Sequence, residues 1–197
     1  MAHQHWEDEI MAEEIKLNLG CGQHKKDGFI NVDKEGDADL IHNLEIFPWP
    51  WEDNAVSYVL MHHVLEHLGE KTDVFLHIIK ELYRVSKPDA TIEVTVPHPR
   101  HDYFINDPTH VRPITKEVME LFSKQKNLEW KENSISNSPL ALYLDVDFEV
   151  IDHGFVFAEF WAEGHQKKEI SDGDLNFAAT HYFNVVEEIS MLLKVVK

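Results

Sequence analysis

The chain has 197 residues, a length that fits one domain with a sizeable core. Its formal net charge of −18 and its lack of a basic stripe argue against a nucleic acid or an anionic membrane as partner, because phosphate binding depends on clustered Lys and Arg. No apolar run approaches the roughly 20 residues that a membrane span needs. A single cysteine, Cys21, excludes an internal disulfide and favours a reducing, cytoplasmic location.

The first 14 residues form an acidic segment that resembles neither a secretory signal nor an Arg-rich transit peptide. We interpret residues 1–14 as a flexible extension, with a short capping helix as the alternative. Residues 15–197 are predicted to form the functional domain.

The most informative pattern lies in residues 15–33. An apolar strand leads into the Gly-Cys-Gly turn at residues 20–22, and a second short strand ends on Asp33. Glycines after a strand let the backbone approach a ligand closely, and an acidic residue ending the next strand can hold two ribose hydroxyls. Only six residues, 23–28, separate the two features, whereas a complete crossover needs about 10–12 or more. The pattern predicts a nucleotide-type cofactor site whose first crossover helix is shortened or absent.

The missing helix narrows the choice of cofactor. A pyrophosphate cofactor such as NAD is normally bound at the N-terminus of that helix, where free N–H groups favour negative charge. The dinucleotide fingerprint also requires a third glycine, and Lys25 stands in its place. S-adenosylmethionine contains adenosine but no phosphate, so it would lose less from a missing helix. The residues therefore favour S-adenosylmethionine over a nicotinamide cofactor.

The following residues alternate between strand and helix patterns. Residues 34–53 are predicted to be irregular apart from the short apolar piece Leu40-Ile41, and residues 55–61 form a strand covered on both faces. Thr72 or Asp73 can cap a helix that ends at Val85, and a β-rich strand follows. This alternation predicts an α/β fold, a doubly wound, mostly parallel Rossmann-like sheet.

The second half is less regular. Thr115 is predicted to cap a short helix, and an antiparallel strand within residues 182–196 is predicted at the sheet edge. Strand structure is also expected around residues 148–161, followed by a charged connection over residues 163–174. Two segments, 98–114 and 124–145, are predicted to be irregular and to lie on the substrate side of the sheet.

In this order the pieces resemble the class I S-adenosylmethionine-dependent methyltransferases, over about residues 15–115. The closest match is a small branch in which a GFINVD-like second strand follows the LNLGCG turn almost at once. The matching motifs are LNLGCG at 17–22, GFINVD at 28–33, HVLEHL at 63–68, LYRVSKP at 82–88 and DPTHV at 107–111.

The resemblance implies roles for several residues. Those expected to contact the cofactor are Gly20, Cys21 and Gly22 in the turn, Asp33 at the ribose, Asn43 and Leu44 at the adenine, and His62 and His63 beside the methyl group. The alternatives are a solvated carboxylate at Asp33 and packing roles for the two histidines. Cys21 is interpreted as a small residue that fills the turn.

Residues 98–112 are the predicted substrate segment, because ligands of open α/β sheets bind beyond the carboxyl ends of the strands. Two of the three arginines, Arg100 and Arg112, fall here, and arginine pairs well with carboxylates. They predict an anionic acceptor, with Asp102 nearby; internal pairing with Asp102 and Asp107 is the alternative. Trp49 is either a substrate platform or part of the core.

His98, His101 and His110 are the predicted general bases, since histidine titrates near neutrality. His98, His101 and Asp102 also suit a metal ion, but with 14 histidines in the chain no metal is predicted. The predicted function is methyl transfer to a small, anionic molecule, with a protein side chain as the next acceptor class. The alternatives are a non-catalytic domain that binds the cofactor or a partner, and a nicotinamide-dependent oxidoreductase.

Overall fold

The computed structural model describes residues 14–197, so the predicted extension lies outside the described residues except for Glu14. Seven strands form a single sheet in the order β3-β2-β1-β4-β5-β7-β6. The strands are β1 (Ile15–Leu19), β2 (Ile30–Asp33), β3 (Leu40–Ile41), β4 (Val56–His62), β5 (Ser86–Pro97), β6 (Phe148–Phe157) and β7 (Val186–Val195).

Strands β1 to β5 pair in parallel, and β7 runs antiparallel to both β5 and β6. The mostly parallel, Rossmann-like sheet with an antiparallel edge strand is thus confirmed, although the strand at the edge is not the last one in the chain. β7 lies inside the sheet, and β6 is the edge strand. The strand order reverses between β1 and β4, which creates the crevice where ligands of such sheets bind.

Seven α-helices are present within residues 14–197. They are α1 (Thr72–Val85), α2 (Asp102–Ile105), α3 (Lys116–Glu120), α4 (Lys124–Glu132), α5 (Leu140–Leu144), α6 (Glu159–Gln166) and α7 (Asp172–His181). No helix lies between β1 and β2, as the six-residue spacing predicted. None of the helices in this range is long and apolar enough to cross a membrane.

The prediction of irregular structure over residues 124–145 is wrong, because α4 and α5 form there. The sequence of α4, KQKNLEWKE, has no apolar face, so periodicity gives no helix signal; Ser123 instead caps it by accepting a hydrogen bond from Lys126 N. The substrate-side placement is also wrong. Asp145 lines a groove with Asn54 and Arg84, at the edge where β4 begins, opposite the edge where ligands bind.

Two other polar segments are more ordered than expected. The charged connection predicted over residues 163–174 contains parts of α6 and α7, and the segment 98–114 contains the single turn α2. Thr115 caps α3 as predicted, by accepting from Val118 N. For α1, however, the N-cap residue is Lys71, whose side chain makes no capping bond, so the predicted cap by Thr72 or Asp73 is wrong.

The core lies between the sheet and α1, whose buried side chains lie on one face of the helix. Trp49 belongs to this core, with only 2% of its surface exposed. Its indole Nε1 donates to Leu44 O, and its backbone N–H donates to Glu81 Oε2 at 2.6 Å. Glu81 also forms an ion pair with Arg84. Trp49 is therefore a core residue that fixes the chain beside Leu44, and the substrate role predicted for it is wrong.

Candidate functional site

A cavity of about 460 Å³ opens at the edge of the sheet where the parallel strands end. Its walls are built by residues that follow the ends of β1 to β4, together with part of the segment after α2. The lining residues are Gly20, Asp33, Lys34, His42, Asn43, Leu44, Glu45, His63, Val64, His67, Leu68 and Thr109. Five of the eight predicted cofactor residues are among them, namely Gly20, Asp33, Asn43, Leu44 and His63.

Asp33 is the best placed polar group in this cavity. Its Oδ2 accepts a hydrogen bond from Gly22 N at 2.8 Å, and its Oδ1 accepts from Lys34 N at 2.7 Å. Oδ1 also accepts a longer bond from Glu35 N, at 3.4 Å. An ionised carboxylate has about four lone-pair sites, so the acceptor capacity left for a ligand hydroxyl is on Oδ2. Gly22 thus acts by orienting Asp33, although it does not itself line the cavity.

The turn that replaces the first crossover helix is held by buried amides. Asn18 Nδ2 donates to His24 O and to Asn31 Oδ1, and Asn31 Oδ1 also accepts from Lys26 N at 2.7 Å. Asp39 accepts from both nitrogens of Asn31. An ion pair with Lys25, with these bonds from Asn31, lowers the pKa of Asp39 to about 2. This network, which the sequence analysis did not find, positions Gly22 against Asp33 without a helix.

Gly20 is needed because no side chain fits at its position. Its φ of +66° is in the left-handed region, and a Cβ built on it would lie 2.2 Å from Cγ2 of Val64, which lines the cavity. Gly22 also has a positive φ, of +50°, but a Cβ there would meet no atom within 4 Å. The two glycines therefore differ: Gly20 allows close packing beneath the cavity, whereas Gly22 needs only backbone freedom.

The two histidines predicted to lie beside the methyl group differ in position, because only one of them lines the cavity. His63 lines the cavity, with its Nε2 3.0 Å from Glu188 Oε1 and its Nδ1 3.5 Å from Glu66 Oε1. Glu66 and then Glu188 raise the pKa of His63, against the opposing effect of burial. His62 is not among the lining residues and contacts Glu93 Oε1 at 3.2 Å, so the cavity gives no support to its predicted cofactor contact.

Cys21 is buried within the turn and does not line the cavity. Burial, and secondarily the nearby Asp33, raises the pKa of its thiol, which disfavours the reactive thiolate. The interpretation as a small residue that fills the turn agrees with this position, and the predicted contact with cofactor is not seen in the cavity lining.

The predicted substrate arginines do not face the cavity. Both terminal nitrogens of Arg100 donate to backbone carbonyls at the end of α7, those of Ala179 and Thr180. Arg112 donates to Gly69 O and lies over the ring of Phe75. The anion-binding role predicted for these two residues is therefore not supported. Asp102 begins α2 and is exposed; its N–H donates to Asn184 Oδ1, so this residue too belongs to the loop structure.

We expect Arg100→Ala to lower the free energy of unfolding by about 1–2 kcal/mol, because a cation at a helix C-terminus and its hydrogen bonds to the last carbonyls are lost. Amide exchange should accelerate in α7, while the affinity for a ligand of the cavity should not change. Chemical denaturation and hydrogen exchange test this, with Lys80→Ala, an exposed cation within α1, as the control. Unchanged exchange in α7 together with weaker ligand binding would contradict the structural role.

The three predicted bases also occupy different places. His101 is buried and caps α2, its Nδ1 accepting from Tyr103 N. His98 is half-buried, and burial together with Arg100 and His101 lowers its pKa. Neither lines the cavity, so their predicted role as bases is not supported. His110 lies behind the cavity wall, its ring 4.5 Å from that of His67.

His67 and Thr109 line the cavity, although the sequence analysis did not select them. His67 Nδ1 lies 2.9 Å from Thr109 Oγ1, across 42 residues of sequence. The signal available in the sequence was the run HVLEHL directly after a buried strand, which places His67 within one turn of the ligand-binding edge.

Many solved structures match the fold over nearly the whole chain. A SAM-dependent methyltransferase from Archaeoglobus fulgidus is 17% identical with a TM-score of 0.56, covering 93% of this chain and 86% of its own. The 1,6-didemethyltoxoflavin-N1-methyltransferase of Burkholderia thailandensis, with bound S-adenosylhomocysteine, is 10% identical with a TM-score of 0.52, covering 93% and 71%. The [4+2]-cyclase SpnF is 15% identical with a TM-score of 0.52, covering 95% and 76%.

No protein-family model and no curated protein matches the sequence. At these identities the structural likeness establishes the fold, which is the class I methyltransferase fold that the motifs predicted. Because one similar structure is named as a cyclase, the fold alone does not fix the reaction.

Proposed function

We propose, from this fold and its cavity, that the chain transfers a methyl group from S-adenosylmethionine to a small acceptor molecule. The observation that carries the proposal is Asp33, a carboxylate at the end of β2 that lines the cavity and is oriented by Gly22 N. Its Oδ2 retains acceptor capacity for a ribose hydroxyl of an adenosine. Asn43 and Leu44 lie in the same wall, where the adenine is expected.

The crossover from β1 to β2 favours this cofactor over a nicotinamide. No helix lies between Gly20 and the start of β2, so this crossover offers no helix N-terminus to a pyrophosphate. The turn is instead held by Asn18 and Asn31, which leave the cavity open beside Asp33. When bound, S-adenosylmethionine supplies an electrophilic methyl group on a sulfonium.

The chain's own contribution is to hold the acceptor in line with that methyl group. Reacting atoms held about 3–3.5 Å apart can gain roughly 7–11 kcal/mol from orientation. The histidines that line the cavity are His42, His63 and His67. We propose these, in place of His98 and His101, as the candidate groups beside the acceptor. Because Arg100 and Arg112 are engaged by backbone carbonyls, we propose a small acceptor and do not assign it an anionic group.

The test has two stages. Calorimetry should detect S-adenosylhomocysteine binding and no binding of NADH. Incubation with S-adenosylmethionine carrying a labelled methyl group and a panel of metabolites should then transfer label to an acceptor. Absence of S-adenosylhomocysteine binding would refute the proposal. Binding without transfer to any acceptor would favour the alternative, a domain that binds the cofactor without turnover.

A further inference from the structure

A second group of polar side chains lies just behind the cavity wall. It consists of Glu66 and His67, in the 3₁₀ turn Leu65–His67 that follows β4, and His110, in the segment before α3. One potential ligand atom from each lies within 4.8 Å of the other two. In the range 14–197 no other His, Cys, Asp or Glu side chains form such a group.

Glu66 has a buried carboxylate without a hydrogen-bond partner. The residue is only 1% exposed, and both carboxylate oxygens lack a partner among the described residues. The nearest cationic group is His63, whose Nδ1 is 3.5 Å from Oε1, too far for a good hydrogen bond, and whose Nε2 is engaged by Glu188. A buried carboxylate whose oxygens accept no hydrogen bond is costly, and its long ion pair with His63 leaves both oxygens available to a bound cation.

Both histidines have their proton fixed on Nδ1. The hydroxyl hydrogen of Thr109 is donated to Asp107 Oδ1 at 2.6 Å, so Thr109 Oγ1 must accept from Nδ1 of His67. Nδ1 of His110 faces the carbonyl of Phe104 at 2.9 Å, and a carbonyl can only accept. In a neutral imidazole of this kind the lone pair is on Nε2. Metal-binding histidines are typically fixed in this way, by donating the other N–H to a carboxylate relay or a carbonyl.

Backbone hydrogen bonds also hold together the two segments that carry these three residues. Val111 N and Arg112 N both donate to Glu66 O, at 2.9 and 3.3 Å. These two bonds join the turn after β4 to the segment that contains His110, which lies 44 residues after Glu66 in the sequence. The ring of His110 stacks on Phe104, which holds its orientation.

From this geometry we propose that Glu66, His67 and His110 bind a divalent transition-metal ion. Two imidazoles and one carboxylate suit Zn²⁺ or Fe²⁺, and they leave coordination positions open. Ligand atoms about 2.0–2.2 Å from an ion lie closer together than 4.8 Å, so binding draws the three side chains inward. These residues differ from His98, His101 and Asp102, the metal alternative that the sequence suggested.

An ion at this site would adjoin the cavity, because His67 is part of the cavity wall. Its open positions would then be available to an oxygen atom of a bound acceptor, a consequence that rests on the proposed methyl transfer. The metal site itself does not depend on that function, and its test contains neither cofactor nor acceptor.

The experiment uses the full chain after treatment with a chelator. Zn²⁺ binding is measured by calorimetry and Co²⁺ binding by visible absorption, for the wild type and for Glu66→Gln, His110→Ala, Thr109→Val and the control His24→Ala. We expect one ion per wild-type chain. Affinity should fall at least about 100-fold in Glu66→Gln and His110→Ala and about 10–100-fold in Thr109→Val, which removes the support of His67. The control His24→Ala changes an exposed side chain and should leave the metal affinity unchanged.

Thermal melting separates the metal site from a purely structural role of Glu66. In the metal-free protein, Glu66→Gln removes a buried charge that accepts no hydrogen bond. It should raise the melting temperature, because the ion pair lost with it, to His63 at 3.5 Å, is long. Zn²⁺ should raise the melting temperature of the wild type but not of this variant. Three results would overturn the proposal: no bound ion, equal losses in His24→Ala and Glu66→Gln, or a lower melting temperature of metal-free Glu66→Gln with unchanged Zn²⁺ affinity. Binding of S-adenosylhomocysteine is measured separately. Loss of that binding would count against the proposed function, whereas loss of Zn²⁺ binding alone would count against the metal site.

Discussion

Gly20→Ala is expected to lower the free energy of unfolding by about 2–5 kcal/mol and to weaken binding of S-adenosylhomocysteine. Two costs contribute. The left-handed conformation, with φ of +66°, costs an alanine about 1–2 kcal/mol, and forcing a methyl group against Val64 at 2.2 Å adds about 1–3 kcal/mol of overpacking. Val64 lines the cavity, so its displacement changes the surface that the ligand contacts. Chemical denaturation and calorimetry measure the two effects.

Gly22→Ala is the matched control. Its φ is also positive, but an added Cβ meets no atom within 4 Å, so only the backbone cost of about 1–2 kcal/mol is expected. A difference of at least about 1 kcal/mol between the two variants would support the packing argument. If both variants lost the same stability, the contact between residue 20 and Val64 would not be the constraint that the structure indicates.

The parts of the site that sequence predicts well are those encoded by adjacent residues. A strand, two glycines and a carboxylate at the end of the next strand lie within residues 15–33, and the six-residue spacing already excludes a helix. The same local reasoning does not find the network of Asn18, Asn31 and Asp39, because buried amides have no periodic signature. Yet this network is what makes the short crossover stable.

The residues predicted incorrectly are those whose partners lie far away in sequence. Arg100 follows β5 on the ligand side, as predicted, but the end of α7 binds its guanidinium from 80 residues away. α7 was not predicted, because its sequence does not separate polar and apolar faces. Likewise, His67 and His110 meet only because the backbone of residue 111 is bonded to Glu66 O. No local pattern predicts such a contact.

Asp33→Asn is expected to reduce the affinity for S-adenosylhomocysteine about 10–100-fold. The amide oxygen of asparagine can still accept from Gly22 N, but the amide nitrogen that replaces Oδ1 cannot accept from Lys34 N, so the charge, one acceptor oxygen and one hydrogen bond are lost. A hydrogen bond to a charged group contributes about 1.5–3 kcal/mol, and each 1.4 kcal/mol corresponds to a factor of ten. Calorimetry measures the affinity, and a cooperative denaturation curve within about 1.5 kcal/mol of the wild type, the size of one lost hydrogen bond, would show that the fold is intact.

Asp27→Asn is the control for this substitution, since it makes the same chemical change at an exposed carboxylate in the neighbouring turn that does not line the cavity. Both variants change the net charge equally. If only Asp33→Asn loses affinity, the effect therefore comes from the Asp33 carboxylate in the cavity and not from the change in net charge. Equal affinities in the two variants would mean that the ribose is held elsewhere. In that case the cavity would remain, but the carboxylate that carries the proposed function would have no part in binding the cofactor.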